Sequence, residues 1–267
     1  MTAFPPDYRI PILGADRYSW AYREIPIDHH DPRHDEPLVP LESFGVNYES
    51  YHGRTDGGNP PYHRPVPGSR TDMWLRRSLA SKLAGVNHLL RPHERELLVL
   101  DGYRPIACQR GLWDFYYEQG RKALGSVDDD ALRDYAERFV ADPSDFSEDD
   151  PTSWPAHTTG GAIDVTLRTL SSGEKVDMGS NYEEITDSSH CDYFERLLDL
   201  GDVAADDPRL INRRLLHWAM YRHGILNHPC VFWHHDWGNQ LHVRTRLDLF
   251  PDSPDAAWYG YISPPSE

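Results

Sequence analysis

His157-Thr158-Thr159-Gly160-Gly161-Ala162-Ile163-Asp164 is the stretch on which the reading of this chain turns. A histidine leads into a double glycine, which permits a sharp backbone turn. From Ala162 to Arg168 the residues alternate as a strand, so Asp164 lies inside it. Imidazole and carboxylate can therefore converge on one point. Zinc accepts histidine nitrogen and carboxylate oxygen at about 2.0–2.2 Å, and a catalytic site needs three protein ligands plus an open position. A capping histidine and a strand-end aspartate would give the same string, so other segments must decide.

Val231-Phe232-Trp233-His234-His235-Asp236-Trp237-Gly238-Asn239-Gln240 could supply a second histidine, with aromatic neighbours as a dry shell around a metal. On a regular strand His234 and His235 face opposite ways, so only one of them should reach the metal. Asp101-Gly102-Tyr103-Arg104-Pro105 follows the apolar run Leu97–Leu100 and opens a helix. An arginine there suits a carboxylate or a developing oxyanion, and equally a structural pair with a nearby aspartate.

Around these segments, Thr71 reads as a helix N-cap, with Leu75, Leu79, Leu83, Val86 and Leu90 on one helical face. Further helices are expected from Pro105 to about Glu118, from Asp129 to Val140 and over 207–223, the last closed by Gly224. Ser171-Ser172-Gly173 turns the 162–168 strand back toward Val176, a polar loop covers 177–191, and aromatic-rich strands are expected at about 229–235 and 240–248. Without regular βαβ alternation the class is α+β: a single domain, with a central antiparallel sheet flanked by helices. The expected organisation is a Pro/Asp/His-rich arm at 1–45, the main domain at 46–250 and a tail at 251–267. The arm's Asp28–Asp35 run reads as a solvated loop.

Composition narrows the function. Acids outnumber bases 43 to 27 in 267 residues, and a net charge of −16 without a basic cluster argues against nucleic-acid partners. Apolar residues at 39% suffice for a core. A mean hydropathy of −0.68 with no apolar run near 20 residues argues against a membrane partner. The first residues lack a secretory pattern, and three scattered cysteines do not form a disulfide framework, so a cytoplasmic protein is expected.

Together the three segments resemble the zinc D-alanyl-D-alanine dipeptidases of VanX type, whose fold is shared with zinc D,D-carboxypeptidases and hedgehog domains. That family shows Asp-Gly-Tyr-Arg-Pro-x-x-x-Gln, Ser-x-His-x-x-Gly-x-Ala-x-Asp, Val-Asp-Met-Gly, and Glu-x-x-His before Gly-Asn-Gln. Here Asp101 to Pro105 with Gln109, His157 with Gly160, Ala162 and Asp164, Val176 to Gly179, Ser189-His190, and His234 with Gly238 to Gln240 match in order. The resemblance implies Zn2+ bound by His157, Asp164 and His234, and Arg104 stabilising a tetrahedral intermediate. It also implies a small dipeptide pocket shaped by Tyr103, Asp177 and Ser189.

The family's glutamate is replaced. Three residues before His234 stands Val231, and a valine cannot titrate. General acid–base assistance is worth roughly 10²–10⁴ in rate, so a substitute is required for peptidase activity. His242 is the first choice, with His235, Glu183 and Glu184 as the others. Pro155 stands where the family has serine. Three functions remain open: a zinc hydrolase of a dipeptide or small amino-acid amide with a relocated base; a zinc enzyme recruited to elimination, isomerisation or cyclisation of an amino-acid derivative in specialised metabolism; and an inactive binding homologue.

Overall fold

Leu97, Leu98, Val99 and Leu100 are all buried, and they sort alternately into two apolar clusters. A strand covered on both faces reads as an uninterrupted apolar run, which is why this segment does not alternate. The computed structural model describes residues 3–13 and 20–265. Among the described residues, in chain order, come β1 (Leu38–Pro40), β2 (Asn47–Tyr48), β3 (Trp74–Arg76), α1 (Arg77–Leu90) and β4 (Arg95–Asp101). Then follow α2 (Ile106–Leu124), α3 (Asp129–Glu137), β5 (Ala162–Thr169), α4 (Tyr193–Leu200) and α5 (Pro208–Tyr221). β6 (Leu226–Asn227), β7 (His234–Asp236) and α6 (Gln240–Leu249) complete the order.

The central sheet runs β2-β4-β5-β7-β6, parallel at the β2–β4 edge and antiparallel elsewhere, and β1 and β3 form a separate antiparallel ribbon. One face packs on α1 and α5 through Leu79, Leu83, Val86, Leu215 and Trp218; α2 and α3 contribute Leu112, Tyr116 and Ala136 to the second cluster. Fold class α+β thus holds. Leu83 has no exposure, and Leu83→Ala is expected to cost about 2–5 kcal/mol through the cavity it leaves, read from the denaturant midpoint.

Several expected boundaries move. Thr71 caps nothing: Trp74–Arg76 pairs with Leu38–Pro40 first, and α1 begins at Arg77. α2 runs through Gly120, where a Cβ would stand 3.0 Å from the Tyr135 ring, so the glycine serves α2–α3 packing rather than a helix end. The expected strand at 240–248 is helix α6, because the Asn239 side chain accepts from the His242 amide at 2.9 Å and caps it. Of the expected 229–235 strand only His234 and His235 pair, continued by Asp236; the residues before them are held as a turn by Asn227, whose side-chain amide donates to the carbonyls of Val231, Phe232 and His234. α4 had no counterpart in the sequence reading. Packing also continues across 45 and 250, since Leu41, Ala257 and Tyr259 have no exposure. No helix among the described residues is long and apolar enough to cross a membrane.

Candidate metal centre

β5 and β7 are hydrogen-bonded neighbours, and their register sets Asp164 opposite His234. His157 enters from a short 3-10 turn, Ala156–Thr159, that ends at Gly160 with φ +69°. A side chain is strained in that left-handed conformation, which explains the first glycine. At Gly161 a Cβ would lie 2.5 Å from the Trp237 carbonyl, which explains the second.

Three ligand atoms converge. His157 Nε2 lies 3.2 Å from His234 Nδ1 and 3.5 Å from Asp164 Oδ2, and His234 Nδ1 is 3.0 Å from Asp164 Oδ1. Tetrahedral ligands about 2.1 Å from a metal stand roughly 3.4 Å apart, so this donor set fits a zinc-sized cation. All three atoms lie within 4.8 Å of one another, the one such cluster among the described residues.

The outer nitrogens are engaged as metal-binding imidazoles require. His157 Nδ1 donates to the Gly102 carbonyl at 2.8 Å, and His234 Nε2 donates to Asp236 at 3.2 Å, which leaves Nε2 and Nδ1 respectively facing the centre. Asn239 donates to Asp236 at 2.7 Å, and the Tyr182 hydroxyl donates to Asp164 at 2.7 Å. Burial opposes ionisation of Asp164, but His157 and His234 hold it well below the usual carboxylate range. Burial likewise opposes charge on His234, while Asp236 and Asp164 raise it to about 10.

Arg104 borders this centre. Its Nε donates to Asp101 at 2.7 Å, with Nη2 on the same carboxylate at 2.5 Å, and Nη1 donates to Gln109 at 3.0 Å, while Nη2 also stands 3.7 Å from Asp164. The centre opens into a cavity of about 380 Å³, lined also by Arg104, Glu183, His228 and Val231. That is within the range of small-molecule sites.

Sequence reasoning missed His52, Tyr62, Tyr116 and Tyr182. Glu183 adopts φ +67° and accepts from the hydroxyls of Tyr62 at 2.7 Å and Tyr116 at 3.0 Å. Its other oxygen meets His52 Nε2 at 3.3 Å, and His52 Nδ1 stands 3.5 Å from Asp101. Burial works against protonation of His52, but Asp101 and Glu183 outweigh it and raise its pKa to about 9. A pKa raised above the unfolded value of about 6.5 stabilises fully below that pH and is lost as pH rises through 9. The stability gap between the wild type and His52→Gln should therefore shrink from pH 6 to pH 10, as urea midpoints will show.

Other expected site residues stand elsewhere. His242 lies in α6, donates Nε2–H to the Gly224 carbonyl at 3.0 Å and packs between Trp237 and Trp258, on a different cavity. Burial lowers its pKa to about 4. His235 points to the opposite sheet face from His234, with Nδ1 on the Trp233 carbonyl at 2.9 Å. Neither reaches the centre as a base. Tyr103 donates to the Ile262 carbonyl, Ser189 is buried in the cap of its own turn with Thr186, and exposed Asp177 accepts from the Gly179 amide. None of the three lines the cavity; backbone groups engage each of them elsewhere. Glu184 is exposed and pairs with Asn181.

A family model for Peptidase M15, described as D-ala-D-ala dipeptidase, matches residues 70–252. The D-alanyl-D-alanine dipeptidase of Synechocystis sp. is 29% identical over 234 residues, covering 85% of this chain and 92% of that protein. One from Streptomyces coelicolor is 29% identical over 196 residues, covering 68% and 85%. Among solved structures, a mutant of the vancomycin resistance D,D-pentapeptidase VanY in complex with Zn(II) aligns with a TM-score of 0.41 and 16% identity, over 87% of this chain and 96% of that one.

Proposed function

The chain belongs to the D-Ala-D-Ala dipeptidase family of Peptidase M15, and from that premise we propose that it hydrolyses the amide of a small dipeptide of the D-Ala-D-Ala type, with zinc held by His157, Asp164 and His234. The observation that carries this reading is the convergence of those three ligand atoms at the wall of a dipeptide-sized cavity. When bound, zinc supplies Lewis-acid polarisation of the scissile carbonyl and activation of water. The protein's own groups do the rest.

Asp101 and Gln109 fix the Arg104 guanidinium, which lines the cavity and whose N–H groups left over from those two partners would serve the oxygen that gains charge as the carbonyl is attacked. Val231 in the cavity wall accepts no proton. Of the replacements offered by the sequence, Glu183 is the one that lines the cavity, and we assign it as proton acceptor. Burial would raise its pKa, but His52 and Tyr62 hold it below the usual range, which makes it a weak base. Slow hydrolysis follows. Glu183→Gln should lower kcat for D-alanine release at least about 10²-fold with metal content and KM kept. An unchanged kcat would remove Glu183 from the proton path. We place the reaction in the cytoplasm, where the buried thiols Cys108 and Cys191 stay reduced.

Val231 itself favours a second reading: zinc-dependent elimination, isomerisation or cyclisation of an amino-acid derivative, chemistry that needs no activated water. Mass analysis of the product separates the two, because only hydrolysis adds the elements of water.

A further inference from the structure

Two buried arginines stand side by side in α5 and differ in what they hold. Arg214 forks onto the Glu195 carboxylate, with Nε and Nη2 each at 2.7 Å. Arg213, 2% exposed, has no carboxylate within salt-bridge distance among the described residues. Its donors go to main-chain carbonyls instead: Nε to Met178 at 2.7 Å, Nη2 to Ser188 at 2.8 Å and Nη1 to His190 at 2.9 Å. These carbonyls lie at the two ends of the 178–190 loop. Burial lowers the pKa of this guanidinium to about 9, the mark of a cation held without a counter-charge.

Between those ends lie residues that face the metal centre. Tyr182 donates to Asp164 at 2.7 Å, and Glu183 meets Tyr62, Tyr116 and His52. The far end of the loop is tied in turn to the segment that precedes His234. The Phe232 amide donates to the Ser189 carbonyl at 2.8 Å, and the Cys191 amide to the Pro229 carbonyl at 3.0 Å. The Arg213 guanidinium stands 3.8 Å from the centre of the Phe232 ring. One side chain thus joins the loop that bears Glu183 to the turn that bears Val231. A planar fork reaches three separate carbonyls, where an ammonium offers its donors from a single point.

We propose that Arg213 is a positioning residue for the hydrolysis proposed above, on which this inference rests: it clamps both ends of the 178–190 loop and so holds Tyr182 and Glu183 against the metal centre. Without it three carbonyls lose their donor, and water can replace that donor only if the loop lifts. A misplacement of about 1 Å at a catalytic group can cost on the order of 10²-fold in rate.

Hydrogen exchange and kinetics on the zinc-loaded full chain test this, with Arg213→Met and with Arg213→Lys, which keeps the charge but not the fork and guards against misfolding. In both variants the amides of residues 179–189 should exchange at least about tenfold faster than in the wild type, while those of β4 and β5 keep their protection. The kcat for D-alanine release should fall about tenfold or more at unchanged zinc content. That loss should vanish in a Glu183→Gln background, because both changes withdraw the same group. Protection unchanged over 179–189, or lost equally from β4 and β5, would overturn the assignment. Rate losses that multiply in the double variant would do the same, since a merely structural effect acts in either background. If Glu183→Gln alone leaves kcat unchanged, the proton assignment fails instead, and exchange over 179–189 decides the clamp by itself.

Discussion

Val231→Glu raises D-alanine release from D-Ala-D-Ala by about 10²–10⁴-fold, the range over which a positioned acid–base group acts. Val231 lies in the cavity wall, three residues before His234, in a turn that the Asn227 amide fixes by gripping its carbonyl. That clamp belongs to the backbone, so the substitution changes the side chain and not the turn. A glutamate there offers a carboxylate toward the same space that His157, Asp164 and His234 border. Glu183, held by His52 and two tyrosine hydroxyls, is a poor competitor for the proton. The gain should appear in kcat at constant metal content, and Glu183→Gln should then cost little in the Val231→Glu background. A rate left unchanged by Val231→Glu would mean that proton transfer does not limit the reaction.

Asp164→Ala has the largest expected loss. Asp164 is 3% exposed and is the only anion among the three ligand candidates. Without it two imidazoles remain, too few for a three-ligand zinc site. Activity should fall at least about 10³-fold and zinc should no longer copurify. Asp164 also meets Arg104 at 3.7 Å and accepts from Tyr182, so its removal leaves buried positive charge less compensated. Loss of one partner of a buried pair costs about 3–5 kcal/mol, and the unfolding midpoint should fall accordingly. Asp164→Asn, which keeps the shape and an acceptor for Tyr182 but not the charge, separates charge from packing: zinc is lost in both variants, and the part of the stability loss that persists in Asn is the part due to the missing charge.

Much of this was legible in the sequence because it was local. The Gly160-Gly161 turn, the Asp164 strand and the alternation of His234 against His235 each follow from a few adjacent residues, and their meeting needed only β5 beside β7. The apolar face Leu79, Leu83, Val86 and Leu90 likewise announced α1. What stayed hidden depends on partners far along the chain. His52 lies in a turn-rich stretch with no periodicity, and its role arises only because Asp101 and Glu183 come to its two ring nitrogens. His242 is the first choice for a base because it stands where the family is expected to have an aromatic, within a stretch that reads as strand; an asparagine cap makes 240–248 a helix and turns the imidazole into an aromatic box. Tyr103, Asp177 and Ser189 carry polar atoms that nearby backbone groups engage, and composition cannot reveal that. β3 was missed for a similar reason, since its partner β1 lies in the segment taken for an extended arm.

The most direct test is D-alanine release from D-Ala-D-Ala by the purified full chain, with metal content quantified on the same sample. We expect one zinc per chain and slow release that chelation abolishes and added zinc restores. A chain that carries one zinc and releases no D-alanine, or one that releases it equally well without zinc, would contradict the assignment.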